Sequence, residues 1–377
     1  MDYTDAPEVA RFRSELRAWL GSHASLLRPA GSAADAVERT LAWHRALAAA
    51  GYVAVSLPAE YGARGLPDIF EAVVNAELAR ASAPPPPPIG HIAHAIADFA
   101  SPELKARLLP GLLACTQVWC QGFSEPGAGS DLAGISTVAT RSPDGQTLRV
   151  SGQKIWTSGA MWSHWCLLLA RTEPDAPAHR SLSMIAVEMN SAGIDCREIT
   201  MSTGSTEFAE VYFDDVAVPA ANVIGEPGQG WQIAMGMLSY ERGPADMGWV
   251  GRMGTVLAAA QEDVRTGRTP ADDALRRRLA ACWVGLQVLE CQVQRSLARR
   301  AYQTPGAEGS LDKLLATRVE QNIYATLADL AGPAAVTGDG PVFRDYLYSR
   351  AQSIYGGTQQ IQRTIVAQRL LGLPRAR

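Results

Sequence analysis

The spacing of apolar positions over residues 8–114 is that of amphipathic helices. One helix is predicted over residues 9–20, and its apolar face is formed by Phe12, Leu16, Trp19 and Leu20. Helical spacing resumes over 69–81 and is followed by five prolines at 84–88. A run of five prolines can be a ligand for an SH3-type domain, but we expect a stiff connector, because helical patterns flank it closely.

The pattern of apolar and polar residues changes at about residue 117, where short apolar or alternating runs replace the helical spacing. These runs predict strands at 148–151, 165–170, 182–187 and 210–213. Turn signals separate them, including Pro-Asp-Gly at 143–145 and Pro-Gly-Gln-Gly at 227–230. We therefore expect a compact antiparallel sheet or barrel in the middle of the chain.

Long helical patterns return beyond about residue 230 and predict an antiparallel bundle. They cover residues 231–257, 273–302, 310–330 and 359–371. The resulting prediction is a helical domain over 1–116, a β domain over 117–229 and a helical bundle over 230–377.

Composition excludes several classes of function. The 34 basic and 38 acidic residues give a net charge of −4, which provides no general attraction for nucleic acid or an anionic membrane. No apolar run predicts a secretory signal or a membrane span. The six cysteines form neither a CxxC pair nor a zinc-like array, and His91 and His94 have no third ligand, so we expect no metal site and a reducing cytoplasm.

Two separated motifs carry the chemistry. The first is WCQGFSEPGAGSDLAG at 119–134 with GQKIWTSG at 152–159, and the second is IYGGTQQIQR at 354–363. Residues 126–129 alone would indicate only a tight turn, but both long motifs, in this order, resemble those of acyl-CoA dehydrogenases. The resemblance covers nearly the whole chain and implies an α+β fold with an N-terminal α-helical domain, a middle antiparallel β-barrel and a C-terminal four-helix bundle.

The resemblance implies FAD as the cofactor. Backbone N–H groups of a glycine-rich loop can approach a flavin closely because no Cβ intervenes, and hydroxyl groups add donors. The positions that match the family's cofactor-binding residues are Phe123, Ser124, Gly129, Ser130, Trp156, Ser158, Thr358 and Gln360. Ser130 also matches a position beside the substrate's pantetheine. Trp156 has a second interpretation, as an aromatic residue of the barrel core.

Gly356 departs from the family pattern, because many members carry their catalytic glutamate at this position. Its backbone N–H still matches the family's donor to the thioester oxygen, and Tyr355 matches a residue of the acyl pocket. In the isovaleryl-CoA and long-chain branches the glutamate comes instead from the first long bundle helix, directly before an arginine. Glu241 and Arg242 match that placement, which implies Glu241 as the base and Arg242 as a residue that orients the thioester or CoA. A solvated ion pair is the competing interpretation of a Glu-Arg pair.

A further departure follows Leu257, where many members present an Arg-x-x-Phe-Gly element that reaches the FAD of a neighbouring subunit. This chain has Arg265, Gly267 and Arg268 there instead. They are either ligands of the pyrophosphate or part of a solvated basic loop.

The resemblance thus implies an acyl-CoA dehydrogenase that forms a trans-2-enoyl-CoA. Glu241 takes the α proton, hydride passes to flavin N5, and an electron-transfer flavoprotein or similar acceptor takes the electrons. Glycine at 356 suits branched, long or ring-bearing acyl groups. A homodimer or homotetramer is expected from the family, and a heteromer is open. Two alternatives remain: an enzyme of the same fold acting on a carrier-protein thioester, and a FAD-poor, non-catalytic subunit of a heteromeric dehydrogenase.

Overall fold

A computed structural model describes residues 4–27, 33–240, 243–300, 306–333, 335 and 340–374. The chain divides into two compact units. The first unit contains Met1–Trp43, Gly65–Pro86 and Glu241–Arg377, and the second contains His44–Arg64 and Pro87–Tyr240. Helices, then a sheet, then helices follow one another along the chain, as the sequence predicts. The division at 116/117 and 229/230 stays a prediction.

The N-terminal segment forms helices that belong to both units. They are α1 (Pro7–Ser22), α2 (Ala33–Ala49), α3 (Asp68–Arg80), α4 (Gly90–Phe99) and α5 (Pro102–Leu113). Helix α1 buries Phe12, Leu16 and Leu20, as its spacing predicts, while Trp19 is half-buried. The proline run is the connector between α3 and α4, and the carbonyl of Pro84 accepts a hydrogen bond from Trp43 Nε1 at 3.0 Å.

The middle segment forms one eight-stranded sheet. Its strands are β1 (Trp119–Gly122), β2 (Val138–Arg141), β3 (Thr147–Ser158), β4 (Trp165–Arg171), β5 (Leu182–Glu188), β6 (Ile194–Ile199), β7 (Phe208–Pro219) and β8 (Val223–Ile224). The order is β6-β7-β3-β2-β4-β5-β8, with β1 added to β4. Most pairs are antiparallel as predicted, but β1 runs parallel to β4, and β2 bridges β4 in parallel. The long connection through β2 and β3 permits this, because a parallel pair needs a crossover.

The C-terminal segment is helical but differs from the prediction at two points. Its helices are α6 (Gly230–Tyr240), α7 (Asp246–Arg265), α8 (Asp273–Arg300), α9 (Glu308–Ala331), α10 (Pro341–Ala351) and α11 (Gln359–Ile365). The single helix predicted over 231–257 is wrong, because Gly243 has φ +105° and Pro244 lacks the N–H that a continuing helix needs. The helix predicted over 359–371 continues past Ile365 only as a π-helical turn, Val366–Leu370.

Helix α8 has two apolar faces. One face packs in the bundle core and includes Leu286, Leu289 and Val293, together with Leu257 and Ile323 from the neighbouring helices. The other face carries Trp283, Val284 and Val288, which are 50%, 54% and 53% exposed. In the part of the chain described, no helix combines the length and apolar character that a membrane span requires.

Candidate active site

The glycine-rich loop lies beside strand β3. Strand β1 ends at Gly122, Phe123 is buried, and the carbonyl of Ser124 accepts a hydrogen bond from Ile155 N at 2.9 Å. The chain then makes a tight turn in which Glu125 and Ala128 exchange two main-chain hydrogen bonds of 3.0 Å each. These contacts hold Phe123 and Ser124 next to the strand that carries Trp156.

A buried ion pair ties the same two segments together. Lys154 Nζ donates to Glu125 Oε1 at 2.8 Å and to the carbonyl of Phe123 at 3.0 Å. The carboxylate of Glu125 also accepts hydrogen bonds from Ser136 N and Oγ and from Thr137 N, at 2.6, 2.7 and 2.9 Å. Burial opposes ionisation of Glu125, but the charge of Lys154 and these donors lower its pKa to about 2. Burial also lowers the pKa of Lys154.

Trp156 is presented to the outside of the sheet. Its side chain is 56% exposed and contacts Phe208 edge-on, with ring centroids 6.1 Å apart. Its backbone has φ +60°, a left-handed conformation that bulky residues rarely adopt. The β3–β7 pairing is irregular between Lys154 and Thr157. A large aromatic side chain held half-exposed by strained backbone is typical of a ligand site, and the barrel-core interpretation is wrong for Trp156.

The loop beyond the tight turn has donors available for a ligand. Gly129 and Ser130 are exposed, and neither N–H group donates a hydrogen bond within the described part of the chain. A Cβ added at Gly129 would meet no atom within 4 Å. Ser158, exposed on β3, adds a hydroxyl two residues after Trp156. An exposed aromatic face on β3, with exposed main-chain donors and hydroxyls on the loop and the strand, fits a flavin.

The C-terminal motif forms a turn in the first unit. Gly356 and Gly357 both have left-handed backbone, with φ +61° and +88°. The buried side chain of Gln362 donates from Nε2 to the carbonyls of Gly356, at 3.0 Å, and Gly357, at 3.3 Å. Thr358 caps α11, since its hydroxyl accepts a hydrogen bond from Ile361 N at 3.3 Å. Glycine adopts this left-handed backbone without the strain that a side chain would bring.

The remaining site residues of this motif lie around the turn. Tyr355 is half-buried and Gln360 is exposed. The glycine turn and its neighbours belong to the first unit, whereas the glycine-rich loop and Trp156 belong to the second. Glu241 and Arg242 lie outside the described residues.

The residue before Glu241 in the sequence is held by an aromatic stack. Tyr240, the last residue of α6, stacks on His94 with ring centroids 4.1 Å apart and planes 4° apart. His94 Nε2 lies 3.2 Å from Ser56 Oγ, and His91 Nε2 lies 3.0 Å from Gln121 Oε1. Both histidines thus lie within hydrogen-bond distance of a side-chain oxygen. Among the described residues, no cluster of three or more His, Cys, Asp or Glu could hold a metal ion.

The basic residues after α7 have acidic neighbours. Arg265 pairs with Glu262 and Arg268 with Asp263, each at 2.7 Å and each exposed. This favours the solvated-loop interpretation over pyrophosphate binding for both arginines.

Sequence reasoning missed three residues that hold the two motifs in place: Glu125, Lys154 and Gln362. Each lies inside a quoted motif, but its importance comes from contacts distant in sequence. The available signal was a charged residue in the middle of each flavin segment, Glu125 among small residues and Lys154 between apolar ones.

Known proteins resemble the chain along its length. Models of the acyl-CoA dehydrogenase N-terminal, middle and C-terminal domains match residues 7–116, 120–216 and 228–371. The chain is 38% identical to acyl-CoA dehydrogenase IpdE1 of Mycolicibacterium smegmatis over 98% of both proteins. It is 36% identical to acyl-CoA dehydrogenase FadE34 of Mycobacterium tuberculosis, over 98% of this chain and 50% of the relative.

Solved structures show the same fold. The Tcur3481-Tcur3483 steroid ACAD has a TM-score of 0.87 and 26% identity, with full coverage of both chains. The ChsE4-ChsE5 complex from Mycobacterium tuberculosis has a TM-score of 0.85 and 28% identity, again with full coverage of both chains. The three domain models, this fold and relatives above a third identity lead to one conclusion: the chain belongs to the acyl-CoA dehydrogenase family, and it is a flavin-dependent oxidoreductase with FAD as its cofactor.

Proposed function

We propose that this enzyme introduces a trans-2,3 double bond into a bulky, ring-bearing acyl-CoA, with Glu241 as the base. The observation that carries the proposal is the glycine turn. Gly356 has φ +61°, and its carbonyl accepts a hydrogen bond from Gln362 Nε2, so the C-terminal motif carries no carboxylate at this position. In our proposal the base comes from another part of the chain.

The residues on either side of Glu241 in the sequence support this assignment. A general base works only when it is held within hydrogen-bond reach of the proton that it removes. Tyr240, the preceding residue, is held by its stack on His94, which in turn contacts Ser56. Arg242 follows, and we assign it to the thioester or CoA end of the substrate because a guanidinium binds phosphate and carbonyl oxygens through several donors.

In the proposed reaction the carboxylate of Glu241 takes the α proton. The N–H of Gly356 donates to the thioester oxygen and stabilises the negative charge that develops there, an effect worth about 3 kcal/mol for one such donor. Bound FAD would supply the two-electron acceptor for the hydride that leaves the β carbon, so that one Cα=Cβ bond forms as the α proton and the hydride leave the substrate. An electron-transfer flavoprotein or similar acceptor then takes these electrons.

The geometry of the second unit supports the cofactor contacts proposed for the flavin. Trp156 offers an exposed ring, Gly129 and Ser130 offer main-chain donors, and Ser124 and Ser158 offer hydroxyls. Phe123 is packed beneath the loop. In the first unit, Thr358 and Gln360 are proposed as further contacts and Tyr355 as a wall of the acyl pocket.

The proposed substrate class rests on two supports. Absence of a side chain at Gly356 leaves room near the reacting carbons. The Tcur3481-Tcur3483 structure, which matches over the full length of both chains, is named a steroid ACAD. Together these favour a ring-bearing acyl group over a short straight chain.

The test is the visible spectrum of the purified protein under anaerobic conditions. Butanoyl-CoA, isovaleryl-CoA, octanoyl-CoA and the CoA thioester of a steroid acid are added in turn to the wild type and to Glu241→Gln. We expect the steroid thioester to bleach the flavin of the wild type. In the variant the rate of bleaching should be lower by roughly 10³ or more, as for removal of a catalytic group.

Glu226→Gln, on an exposed loop before α6, is the matched control and should behave like the wild type. Equal bleaching of wild type and Glu241→Gln would reject Glu241 as the base. Bleaching by the short thioesters alone would reject the substrate class. A flavin that no CoA thioester bleaches would favour an enzyme for carrier-protein thioesters.

A second candidate, a subunit of a heteromeric dehydrogenase, is favoured by the outer face of α8. Trp283, Val284 and Val288 are each half-exposed on one helix, and such contiguous apolar surface is typical of a protein interface. Two similar structures are named as two-component assemblies. Light scattering of the purified chain and of Val288→Glu measures the oligomeric state, and the visible spectrum measures the flavin content. A wild type that is colourless and smaller than a homodimer, and that gains flavin when a second chain of this fold is added, would support this role.

A further inference from the structure

A histidine and a glutamine link helix α4 to the strand that leads into the glycine-rich loop. His91 Nε2 donates to Gln121 Oε1 at 3.0 Å, because an amide oxygen can only accept. Gln121 lies in β1, three residues before Ser124, and it is the one residue of β1 that is not buried. Its side chain therefore points away from the core of the sheet and toward α4.

The pair has hydrogen-bonding groups that the described part of the chain does not use. The Nε2 amide of Gln121 donates to no described residue, and His91 Nδ1, which is the acceptor when Nε2 carries the proton, has no partner there either. Both side chains are half-buried. A bound group that covered this amide with carbon alone would leave its N–H groups buried without a partner, which is unfavourable.

Helix α4 also extends to the residue that precedes the proposed base. His94 lies one turn after His91 on the same face of α4 and stacks on Tyr240, which comes directly before Glu241 in the sequence. The other residues between Ile92 and Ala97 are buried. The half-buried face of α4 thus runs, within the second unit, from the strand before the glycine-rich loop to the end of α6.

We propose that Gln121, oriented by His91, is a specificity-determining residue that binds an oxygen substituent, keto or hydroxyl, on the ring-bearing acyl group. The inference rests on the proposed function, because it concerns the acyl group whose α and β carbons react there. The amide N–H donates to either kind of oxygen, and His91 Nδ1 accepts from a hydroxyl. An analogue without the oxygen is rejected, because the amide then loses water and gains no partner.

Binding of reaction products tests the pair without dependence on turnover. The probes are 3-cyclohexylpropenoyl-CoA, 3-(3-oxocyclohexyl)propenoyl-CoA and 3-(4-oxocyclohexyl)propenoyl-CoA, which already carry the double bond. Calorimetry measures their dissociation constants for the FAD-loaded wild type, Gln121→Met, His91→Leu and Gln321→Met. Gln321, a half-buried glutamine of α9 that donates to the Ser349 carbonyl at 3.1 Å, is the matched control. Thermal melting and flavin content report whether each variant is folded and loaded.

We expect the wild type to bind at least one oxo thioester roughly tenfold more tightly than the unsubstituted one, as for one added hydrogen bond. Gln121→Met should bind all three about equally, and Gln321→Met should keep the wild-type ratio. His91→Leu should lose part of the preference, and it tests the pair without altering the strand if Gln121→Met does not fold. A contact that only joins α4 to β1 would leave the ratio unchanged in the folded variants. That result, or equal binding of all three by the wild type, would overturn the inference.

The saturated forms of the same thioesters separate this inference from the proposed function. Bleaching of the flavin by them, with no preference among the products, would leave the dehydrogenase proposal standing and reject the pair. A preference that depends on Gln121, with no bleaching by any saturated thioester, would support the pair and reject the proposed reaction.

Discussion

Lys154 and Glu125 form an ion pair of 2.8 Å in which the two side chains are 0% and 4% exposed. Because Glu125 lies in the glycine-rich loop and Lys154 two residues before Trp156, this contact joins the two segments of the flavin motif. The main-chain hydrogen bond from Ile155 N to the carbonyl of Ser124 runs beside it. The relative position of Phe123 and Trp156 therefore depends on a buried charge pair.

Removal of either partner is expected to be strongly destabilising. Glu125→Gln or Lys154→Met should each lower the free energy of unfolding by about 3–5 kcal/mol, because the other charge is left buried and uncompensated. The double variant should lose less than the sum of the two. Urea unfolding measures all three, and Asp329→Asn, which breaks the exposed pair with Arg278, should cost less than about 1 kcal/mol. Additive losses would refute coupling within the pair.

The free energy of unfolding should depend on pH because of the Glu125 carboxylate. The pKa of Glu125 is lowered to about 2 in the folded protein, so its contribution is complete above the unfolded value, about 4.3, and is lost as pH falls toward 2. Glu77, held by Arg13 and Arg17, has a pKa lowered to a similar value and adds to this slope. The stability difference between wild type and Glu125→Gln isolates Glu125, and it should shrink from pH 5 to pH 3. A difference independent of pH would contradict this.

Glu320 should act in the opposite direction. Burial raises its folded pKa to about 7, above the unfolded value, so stability falls as pH rises from about 4.3 through 7. Glu320→Gln removes this loss and should gain roughly 1–3 kcal/mol relative to the wild type between pH 5 and pH 8. Thermal melting at both pH values is the measurement. Parallel pH profiles for the two proteins would show that Glu320 does not titrate in this range.

Trp156 should decide how much flavin the protein retains. Trp156→Ala removes the exposed ring of the candidate cofactor surface. We expect the variant to bind FAD at least tenfold more weakly, a loss of roughly 1.4 kcal/mol or more in binding free energy, because a large aromatic contact is lost. Trp283→Ala, at a tryptophan of similar exposure on α8, is the matched control. Absorbance ratios after dialysis measure retention. Equal flavin content in both variants would remove Trp156 from the proposed contacts.

Two glycine substitutions should have opposite effects. Gly356→Ala places a side chain at φ +61° and should cost about 1–2 kcal/mol. Gly285 lies inside α8, where an added Cβ would meet Val319 Cγ2 at an ordinary contact distance of 3.6 Å. Gly285→Ala should therefore raise the free energy of unfolding by about 0.5–1 kcal/mol, because alanine loses less conformational freedom in a helix than glycine. Denaturant unfolding compares them. A stabilised Gly356→Ala would mean that the turn relaxes to another conformation.

Local sequence patterns predicted most of the helices and strands, because apolar residues recur with a characteristic spacing in each type of element. The burial of Phe12, Leu16 and Leu20 is an example. The helix break at Gly243 and Pro244 was missed although both are helix-breaking residues, since the apolar spacing continues across them. The parallel pairing of β1 and β4 was missed because register between distant strands leaves no trace in either strand alone.

The candidate site was predictable only as a set of residues. Motif resemblance identified Trp156 and Gly356, and the exposed ring of Trp156 could not have been read from a strand pattern that equally suits a core residue. Glu125 and Lys154 act on the position of Trp156 through a contact between distant segments, so the sequence showed two charged residues but not that they pair. The assignment of Glu241 stays a prediction.

The left-handed backbone and half-exposed ring of Trp156 have a consequence for the amount of protein in a cell. Both features are unfavourable in water, and under the proposed cofactor contacts a flavin would cover the ring and offset them only while it is bound. A ligand that binds only the folded chain raises the folded fraction by mass action, and proteases remove chains that open. The abundance of this protein should therefore follow the supply of flavin, so that a starved cell discards the enzyme before it can accumulate without its cofactor.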